Sequence, residues 1–570
     1  MAPLDILKQY WHYDAFRPMQ ESIIHSVLEG RDTLALLPTG AGKSLCYQVP
    51  AMARPGLCLV VSPLIALMKD QVDHLRRRNI TAFSLYSGMS RKEVINTLQV
   101  ASQSNCKFLY VSPERLETDL FTEYLLSLPI SLVAVDEAHC VSQWGYDFRP
   151  PYLRIAALRE ALPDVPILAL TASATPEVLE DIGDKLALRA PAIFRLPFTR
   201  PNLSYSVFRE DNTIGKITEI LQKVPGSSIV YCKTRKATRE ISDALNRQSI
   251  PAGAYHAGLP QEERSQRQEA WIKDRLRVMV CTNAFGMGID KAAVRTVIHA
   301  GAPESVENYY QEAGRAGRDG KKAYAVLLCR DQEAAQLEKM PDARYPTLEK
   351  IRPVYQALMN YLQLPTGSGE GNYFDFDLSR FVDMGVFDMS VVLNAIRALE
   401  QEGLMSLQQQ VFLPARVRFV TGKQALYEFE KDHAALEPLI HALLRTYEGI
   451  FDQPVAVREK QLAYLTRKDA AQVVEGLRQL QAFQIIEYTQ PKDTPQLYFI
   501  HNRVRAEDLY IDPVRYRQRK EQYAVRIRAL IRYLDLNGDC RSRYLARYFG
   551  DKEAEACGIC DNCLRRKPGE

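Results

Sequence analysis

Residues 37 to 44 read Leu37-Pro38-Thr39-Gly40-Ala41-Gly42-Lys43-Ser44, and Asp136-Glu137-Ala138-His139 follows about ninety residues later. Each segment ends an apolar run, Thr33 to Leu37 in the first case and Leu132 to Val135 in the second. The two divide one task between them. A glycine-rich turn between a buried strand and a helix points backbone N–H groups at phosphates, and the helix N-terminus adds a favourable field. Thr39, Gly40 and Gly42 would form that cradle, Lys43 would reach the outer phosphates, and the Ser44 hydroxyl would ligate magnesium. Asp136 would complete the metal site, and Glu137 would orient or deprotonate the attacking water. A glycine-containing turn alone is common. Joined to an acidic pair at the end of a second apolar strand, it points to hydrolysis of a nucleoside triphosphate.

Other segments bear on what that hydrolysis drives. In Phe16-Arg17-Pro18-Met19-Gln20 the Gln20 amide can both donate to and accept from an adenine edge. Tyr13 could stack on the ring, with Phe16 and Arg17 beside it; a surface glutamine next to a packed phenylalanine is the plainer alternative. Ser142-Gln143-Trp144-Gly145-Tyr146-Asp147-Phe148-Arg149 sets three aromatics and an arginine on a short loop. Elsewhere Trp144 would be read as packing, but beside an ATPase centre Gln143, Trp144, Phe148 and Arg149 suit stacking on single-stranded bases. Leu170 to Thr175 supplies hydroxyls, and Thr282 to Asp290 is a further glycine-rich turn that brings Asp290 to the nucleotide. Gln311-Glu312-Ala313-Gly314-Arg315-Ala316-Gly317-Arg318 puts two arginines three apart, hence on one helical face. Arg315 and Arg318, with Gln311, could reach across a cleft and stabilise transition-state charge.

Eleven cysteines form two populations. Seven stand singly in the first 330 residues, in apolar contexts that suit small core residues of a reducing compartment. The others, Cys540, Cys557, Cys560 and Cys563, give C-x16-C-x2-C-x2-C, a spacing that aims four thiolates at one zinc ion. Residues 513–550 carry ten Arg or Lys against three Asp or Glu, although the whole chain nets only +4. That stripe, with Arg526, Arg528 and Arg532 opposite an Ile527, Leu530, Ile531 and Leu534 face, suits a polyanion partner; a solvated helix face is the alternative.

These groups need elements to hold them. Apolar runs at Thr33–Leu37, Leu57–Ser62, Phe108–Val111, Leu132–Val135 and Ile167–Thr171 alternate with helical stretches, which implies a parallel sheet covered on both faces. The rhythm restarts after Thr199-Arg200-Pro201-Asn202, with Ser228–Cys232, Val278–Thr282, Thr296–Ala300 and Ala323–Cys329. Two such domains, 1–200 and 201–340, would place a nucleotide between them. Beyond 340, helices followed by two-stranded hairpins occur twice, which predicts winged-helix-like α+β units at 341–425 and 426–512. The hairpins would be Leu404-Met405 with Val411–Val420, and Ile485-Ile486 with Leu497–Ile500, with wings near Gln408–Gln410 and Pro491–Thr494. Residues 513–570 would be a basic helical hairpin with the zinc module. With 46% apolar and 25% charged residues the composition is that of a folded soluble protein. No apolar run spans a bilayer and Asp5 interrupts any signal peptide, so a cytosolic or nucleoid-associated bacterial protein is expected.

From residue 16 to about 320 these segments resemble, in order, those of superfamily 2 helicases, and the 142–149 loop followed by Pro150-Pro151-Tyr152 resembles the RecQ family in particular. The cysteine spacing resembles that family's zinc module. The resemblance implies two RecA-like domains and a 3′-to-5′ DNA translocase using ATP, Mg2+ and Zn2+. It also implies single-stranded and duplex DNA as partners, a monomer, and an aromatic loop that couples DNA binding to hydrolysis. Tyr146 stands where the family usually has His, and His12 where Gly usually follows the first aromatic. The domain order also departs: in most of the family the zinc module follows the helicase core directly, whereas about 170 residues precede it here, as if the C-terminal region were permuted. An RNA helicase, a translocase that does not unwind, and a DNA-binding regulator with a degenerate ATPase are the competing readings.

Overall fold

The runs that bracket the two nucleotide motifs lie in one parallel sheet. The structure, a computed structural model, describes the chain apart from residues 87–88, 90, 117, 143, 146–147, 287–290, 385–386, 409–414, 491–494 and 567–570. In the first domain β1 (Thr33–Leu36), β2 (Leu57–Val61), β3 (Ala82–Leu85), β4 (Phe108–Val111), β5 (Ile130–Val135), β6 (Ile167–Thr171) and β7 (Ala192–Arg195) run in the order β3-β4-β2-β5-β6-β1-β7. Only β6 separates β1 from β5, so the glycine-rich loop and the acidic pair leave the same edge as close neighbours. Every residue of β1, β2, β4 and β6 is buried, as expected where helices cover both faces.

The second domain repeats the plan. Its strands β8 (Leu203–Arg209), β9 (Ser227–Tyr231), β10 (Ala252–Tyr255), β11 (Val278–Cys281), β12 (Val294–Ala300) and β13 (Ala323–Cys329) are arranged β10-β11-β9-β12-β13-β8, all parallel. Every strand expected in these two domains is present; β3, β7, β8 and β10 are additional. Ala252-Gly253-Ala254-Tyr255 is too small-residued to stand out as an apolar run. The Leu203, Tyr205, Val207 alternation of β8 was a readable period-2 signal.

The departure in domain order resolves as an insertion. The helix Glu333–Arg344 packs on the helix Pro513–Leu534, across 168 intervening residues. Tyr345 lies 5.4 Å from the Tyr516 ring and 6.0 Å from the Tyr523 ring, Tyr516 Oη donates to the Pro346 carbonyl at 2.8 Å, and Lys520 pairs with Asp342 at 2.6 Å. The zinc module is therefore continuous in space with the helicase core.

The strands of that segment do not pair as two consecutive hairpins. β15 (Met405–Gln408) and β19 (Gln496–Phe499) share a sheet with β14 (Tyr373–Asp375), in the order β14-β19-β15. β16 (Ala415–Phe419) pairs instead with β17 (Val455–Val457) and β18 (Ile486–Thr489), antiparallel to both. All three lie between β15 and β19 in the chain, so one three-stranded sheet is inserted between two strands of the other. Residues 370–383 and 406–499 form a compact unit of their own. The inserted part has a core of Val417, Phe419, Leu443, Leu462, Leu477 and Ile486, and an Asp469–Gln472 capping box that starts the helix Ala470–Ala482. Adjacent hairpins are the simplest reading of a sequence, and strands that exchange partners across an insertion leave no local trace. Both expected wing tips, 409–410 and 491–494, lie outside the described residues. No helix among the described residues is long and apolar enough to cross a membrane.

Candidate nucleotide site and zinc module

The loop after β1 turns on two glycines with positive φ, Gly40 at +86° and Gly42 at +79°, conformations that leave N–H groups facing one concavity. A β-carbon on Gly42 would lie 2.5 Å from Gln20 Nε2. Gln20 is buried and its Nε2 donates to the Ala41 and Gly42 carbonyls, both at 3.0 Å, while its Oε1 accepts from Arg17 N at 2.9 Å. Arg17 in turn donates to the Gly40 carbonyl. The Nε2 end of the Gln20 amide thus braces the loop and its Oε1 end holds the Arg17 backbone, so both ends of the amide expected at an adenine edge are engaged within the chain. Tyr13 is about half exposed, and Phe16 packs against the small core formed by Ile6, Leu7, Ile24 and Val49. Ser44 occupies the N-cap position of the helix Leu45–Ala53.

Across the concavity Lys43 Nζ lies 3.4 Å from Glu137 Oε1. Asp136 is buried beside Glu137, and burial first, then the neighbouring carboxylate, push its carboxyl up to about 6 despite Lys43. Two adjacent carboxylates facing a single lysine fit a site that receives a divalent cation. Glu137 adopts a left-handed backbone, φ 48° and ψ 46°, a strained state for a non-glycine residue that aims its side chain at Lys43. His139 lies between Glu137 Oε2 at 3.4 Å and the Thr171 hydroxyl at 3.0 Å, and Tyr152 Oη donates to the Asp136 carbonyl at 3.0 Å. Thr171 lay within the hydroxyl segment noted in the sequence; Tyr152 carried no signal beyond its place after the aromatic loop.

The second domain closes this concavity, though not with two arginines on one helical face. The helix Val306–Ala313 ends before either arginine, with Gly314 as its C-cap, and Gly317 (φ +63°) turns the chain between Arg315 and Arg318. A β-carbon on Gly40 would lie 3.0 Å from Arg318 Cγ, so Arg318 crosses to the phosphate loop, and Gly314 sits against the Thr39 hydroxyl. Arg315 turns inward: it is buried, with Nη2 near Gly286 and its guanidinium beside Tyr231. Gln311 Nε2 donates to Ser173 Oγ at 2.8 Å, a direct bond from one domain to the other. Arg200, read in the sequence only as the place where the rhythm restarts, holds this turn by donating to the carbonyls of Gly314, Ala316 and Gly317 at 3.2, 3.0 and 2.7 Å.

At the aromatic loop, Trp144 is partly buried against the core and its carbonyl accepts from Arg526 Nη1 at 3.0 Å. Phe148 is partly exposed. Arg149 serves the base of the loop: its N–H donates to the Cys140 carbonyl and its Nη1 to the Pro63 carbonyl at 3.2 Å. Gln143 and Asp290 lie outside the described residues. Arg528 and Arg532 are exposed, one turn apart on the helix Pro513–Leu534. Much of the rest of the basic stripe is paired within the chain: Arg519 with Glu402 and Arg541 with Asp561, both buried, and Arg543 with Asp539 and Lys520 with Asp342 nearer the surface.

The ligating atoms of Cys540, Cys557, Cys560 and Cys563 all lie within 4.8 Å of one another. A tetrahedron of ~2.3 Å Zn–S bonds has edges of about 3.8 Å, so the four sulfurs fit one zinc ion. Backbone N–H groups of Arg543 and Cys557 point at Cys540 Sγ, and that of Cys563 at Cys560 Sγ, which favours thiolates. The seven scattered cysteines are all buried, and burial pushes Cys46 up to about 12 and Cys106 up to about 11, as suits inert core residues. The module is seated on the open edge of β8: Asp561, paired with Arg541 at 2.6 Å, accepts from Val207 N at 3.0 Å.

Two parallel-sheet domains, with a phosphate loop in one and an arginine from the other laid against it, define the helicase class of P-loop proteins. Residues 17–182 match the family model for DEAD/DEAH box helicases and 212–320 that for the helicase conserved C-terminal domain. Residues 417–490 match the RecQ helicase winged-helix domain of Bacteroidota, and 493–564 the RecQ zinc-binding domain. The chain is 43% identical over 338 residues to the ATP-dependent DNA helicase RecQ of Pasteurella multocida, a match covering 59% of this chain and 54% of that one, so it spans about half the length of this relative. It is 42% identical over 357 residues to the probable ATP-dependent DNA helicase RecS of Bacillus subtilis, covering 62% of this chain and 72% of the relative. The DEAD-box helicase Mss116 bound to ssRNA and UDP-BeF shares the fold, with a TM-score of 0.50 at 18% identity over 64% of this chain and 84% of that one. The chain belongs to the RecQ family of helicases.

Proposed function

We propose that this chain is an ATP-dependent DNA helicase that translocates 3′ to 5′ on single-stranded DNA and unwinds duplexes in recombination and repair, acting as a monomer in the bacterial cytosol. The observation that carries the reading is the closure of the phosphate loop by the second domain, Arg318 against Gly40 with Gln311 bonded to Ser173. A site completed only when two domains meet ties each hydrolysis to their relative position. DNA is favoured over RNA by the names of the relatives and by the aromatic loop.

In this reading Thr39, Gly40, Gly42 and Lys43 cradle the phosphates, and Ser44 and Asp136 hold the magnesium ion, which supplies charge neutralisation at the phosphate oxygens. Glu137 orients the attacking water and takes its proton, while Arg318 offsets charge that develops on the transferred group. Trp144 and Phe148 stack on DNA bases, Gln143 and Arg149 lie beside them, and Arg528 and Arg532 meet phosphates. Asp290 joins the nucleotide from the second domain.

ATP hydrolysis should rise with single-stranded DNA and much less with RNA, and duplexes with a 3′ overhang should be unwound in preference to those with a 5′ overhang. Stimulation by RNA above that by DNA would make it an RNA helicase. Stimulation without strand separation would make it a translocase.

A further inference from the structure

The helix that brings Gln311 and Arg318 to the cleft is gripped by the zinc module at three residues. Glu307, buried in its first turn, accepts from Tyr548 Oη at 2.7 Å, and its other oxygen has no partner among the described residues. Tyr309 Oη accepts from Tyr533 Oη at 3.2 Å with the rings 5.2 Å apart. Tyr310 lies 4.9 Å from the Phe549 ring, and Phe549 stacks at 4.6 Å on Phe198, in the linker between the two domains. Gln311, which bonds to Ser173 across the cleft, is the next residue. The same module reaches the first domain, through Arg526 at the Trp144 carbonyl and through Gly550, where a β-carbon would lie 2.7 Å from Pro176.

Residues 307, 309 and 310 face the module, whereas Gln311 and Arg318 reach the first domain, so any play at the first set is transmitted to the second by a helix of only eight residues and the turn that follows it. We infer that Tyr548 and Tyr533 are positioning residues for ATP hydrolysis: acting through Glu307 and Tyr309, they hold Gln311 and Arg318 in register with the phosphate loop. The zinc module thereby governs turnover directly, apart from any contact it makes with DNA. This rests on the ATPase reading above. Misplacement of a catalytic group by about 1 Å can cost on the order of 10²-fold in rate, and loss of one buried hydroxyl partner permits part of such a shift.

The test uses the full-length chain, with Tyr548→Phe and Tyr533→Phe, and Tyr544→Phe as control. Tyr544 Oη donates at 2.7 Å to the Ala529 carbonyl, within the module, so its loss removes a comparable bond without freeing the 306–313 helix. ATP turnover without DNA should fall roughly 5- to 20-fold in Tyr548→Phe and Tyr533→Phe, as part of the misplacement cost. The ATP KM, single-stranded DNA affinity, zinc content and melting temperature should stay near wild type. Tyr544→Phe should keep wild-type turnover, and so should Glu307→Gln, which preserves an acceptor for Tyr548. Unchanged turnover in Tyr548→Phe and Tyr533→Phe, or an equal fall in Tyr544→Phe, would overturn the inference. So would a fall that tracks zinc loss. Lys43→Ala separates this from the underlying reading: a fully active Lys43→Ala would reject the nucleotide site itself, whereas an inactive one beside an active Tyr548→Phe rejects only the positioning role.

Discussion

Strands β1 and β8 hold corresponding places in the two sheets: β3-β4-β2-β5-β6-β1 in the first domain matches β10-β11-β9-β12-β13-β8 in the second. The loops that leave these two strands differ completely. After β1 the chain makes the Gly40 and Gly42 turn and presents Lys43. After β8 it reads Glu210-Asp211-Asn212, with two carboxylates and no glycine, and Asn212 Oδ1 caps the helix Thr213–Lys223 by accepting from Gly215 N at 3.0 Å. The counterpart of β5, which leads into Asp136-Glu137, is β12, which leads from Ala300 into Gly301. One domain therefore carries the glycine-rich loop and the acidic pair, and the other has neither at the corresponding strand ends, on the same frame. The second contributes an arginine from a turn and gives its open edge strand to the zinc module. Shared topology fixes where loops emerge; the loops decide the chemistry.

The most severe way to break this division of labour is to remove one group from each side. Arg318→Ala and Lys43→Ala should each lower ATP turnover roughly 10³-fold, since an arginine finger is worth about 10³–10⁵. A fluorescent ATP analogue should show affinity lost mainly in Lys43→Ala, the variant that damages the domain holding the phosphates. If Arg318→Ala keeps more than a tenth of wild-type turnover, the second domain is not an electrostatic partner in the reaction.

How legible these features were depended on how far apart the contributing residues lie. The phosphate loop, the acidic pair and the four cysteines are runs of neighbours, so spacing alone exposed them. Gln20 was read as a base reader from its amide alone, whereas its Nε2 bonds go to the Ala41 and Gly42 carbonyls, a choice that depends on where a loop twenty residues later passes. Arg315 and Arg318 were read as a helical pair because i and i+3 share a face; the helix stops at Ala313, Gly317 turns the chain between them, and the pair separates into a buried and a reaching arginine. Arg200 clamps three carbonyls more than a hundred residues away, and no local pattern encodes such a contact. The nested insertion escaped for the same reason: β15 and β19 pair across the strands of another unit.

The next largest effect concerns the edge that β8 exposes and β1 does not. Cys560→Ser should lower zinc below one ion per chain, and because metal affinity in such a module is folding free energy, the Asp561 cap on Val207 N should loosen with it. Hydrogen exchange at the Val207 amide should then accelerate by at least tenfold, the equivalent of about 1.4 kcal/mol, a single buried hydrogen bond. An amide still fully protected in zinc-free protein would mean that the module covers this edge without its metal.

A smaller effect is expected at the aromatic loop, the first domain's route to DNA. Trp144→Ala should leave turnover without DNA within about twofold and reduce its stimulation by single-stranded DNA about tenfold, as stacking is worth ~1–3 kcal/mol per base. Phe148→Ala should act in the same direction. Unchanged stimulation in both would leave Trp144 as the packing residue its partial burial permits.

The gentlest perturbation sharpens the comparison most. Asn212 stands where the phosphate loop would begin if the second domain were a copy of the first, and the structure gives it one task, the cap on Gly215 N. Asn212→Ala removes that bond and should cost about 1 kcal/mol, the usual value of an N-cap. For a domain of this size that is a fall of roughly 2–4 °C in the melting temperature. The ATP KM and turnover should not change, because Glu210 and Asp211 repel phosphate and Lys216, the first lysine after them, is paired with Glu219 at 2.9 Å. Thermal unfolding and steady-state hydrolysis on the same sample separate the two outcomes. A shift in the ATP KM without a change in melting temperature would mean that the loop after β8 senses nucleotide after all, and that the two domains divide the work less sharply than their loops indicate.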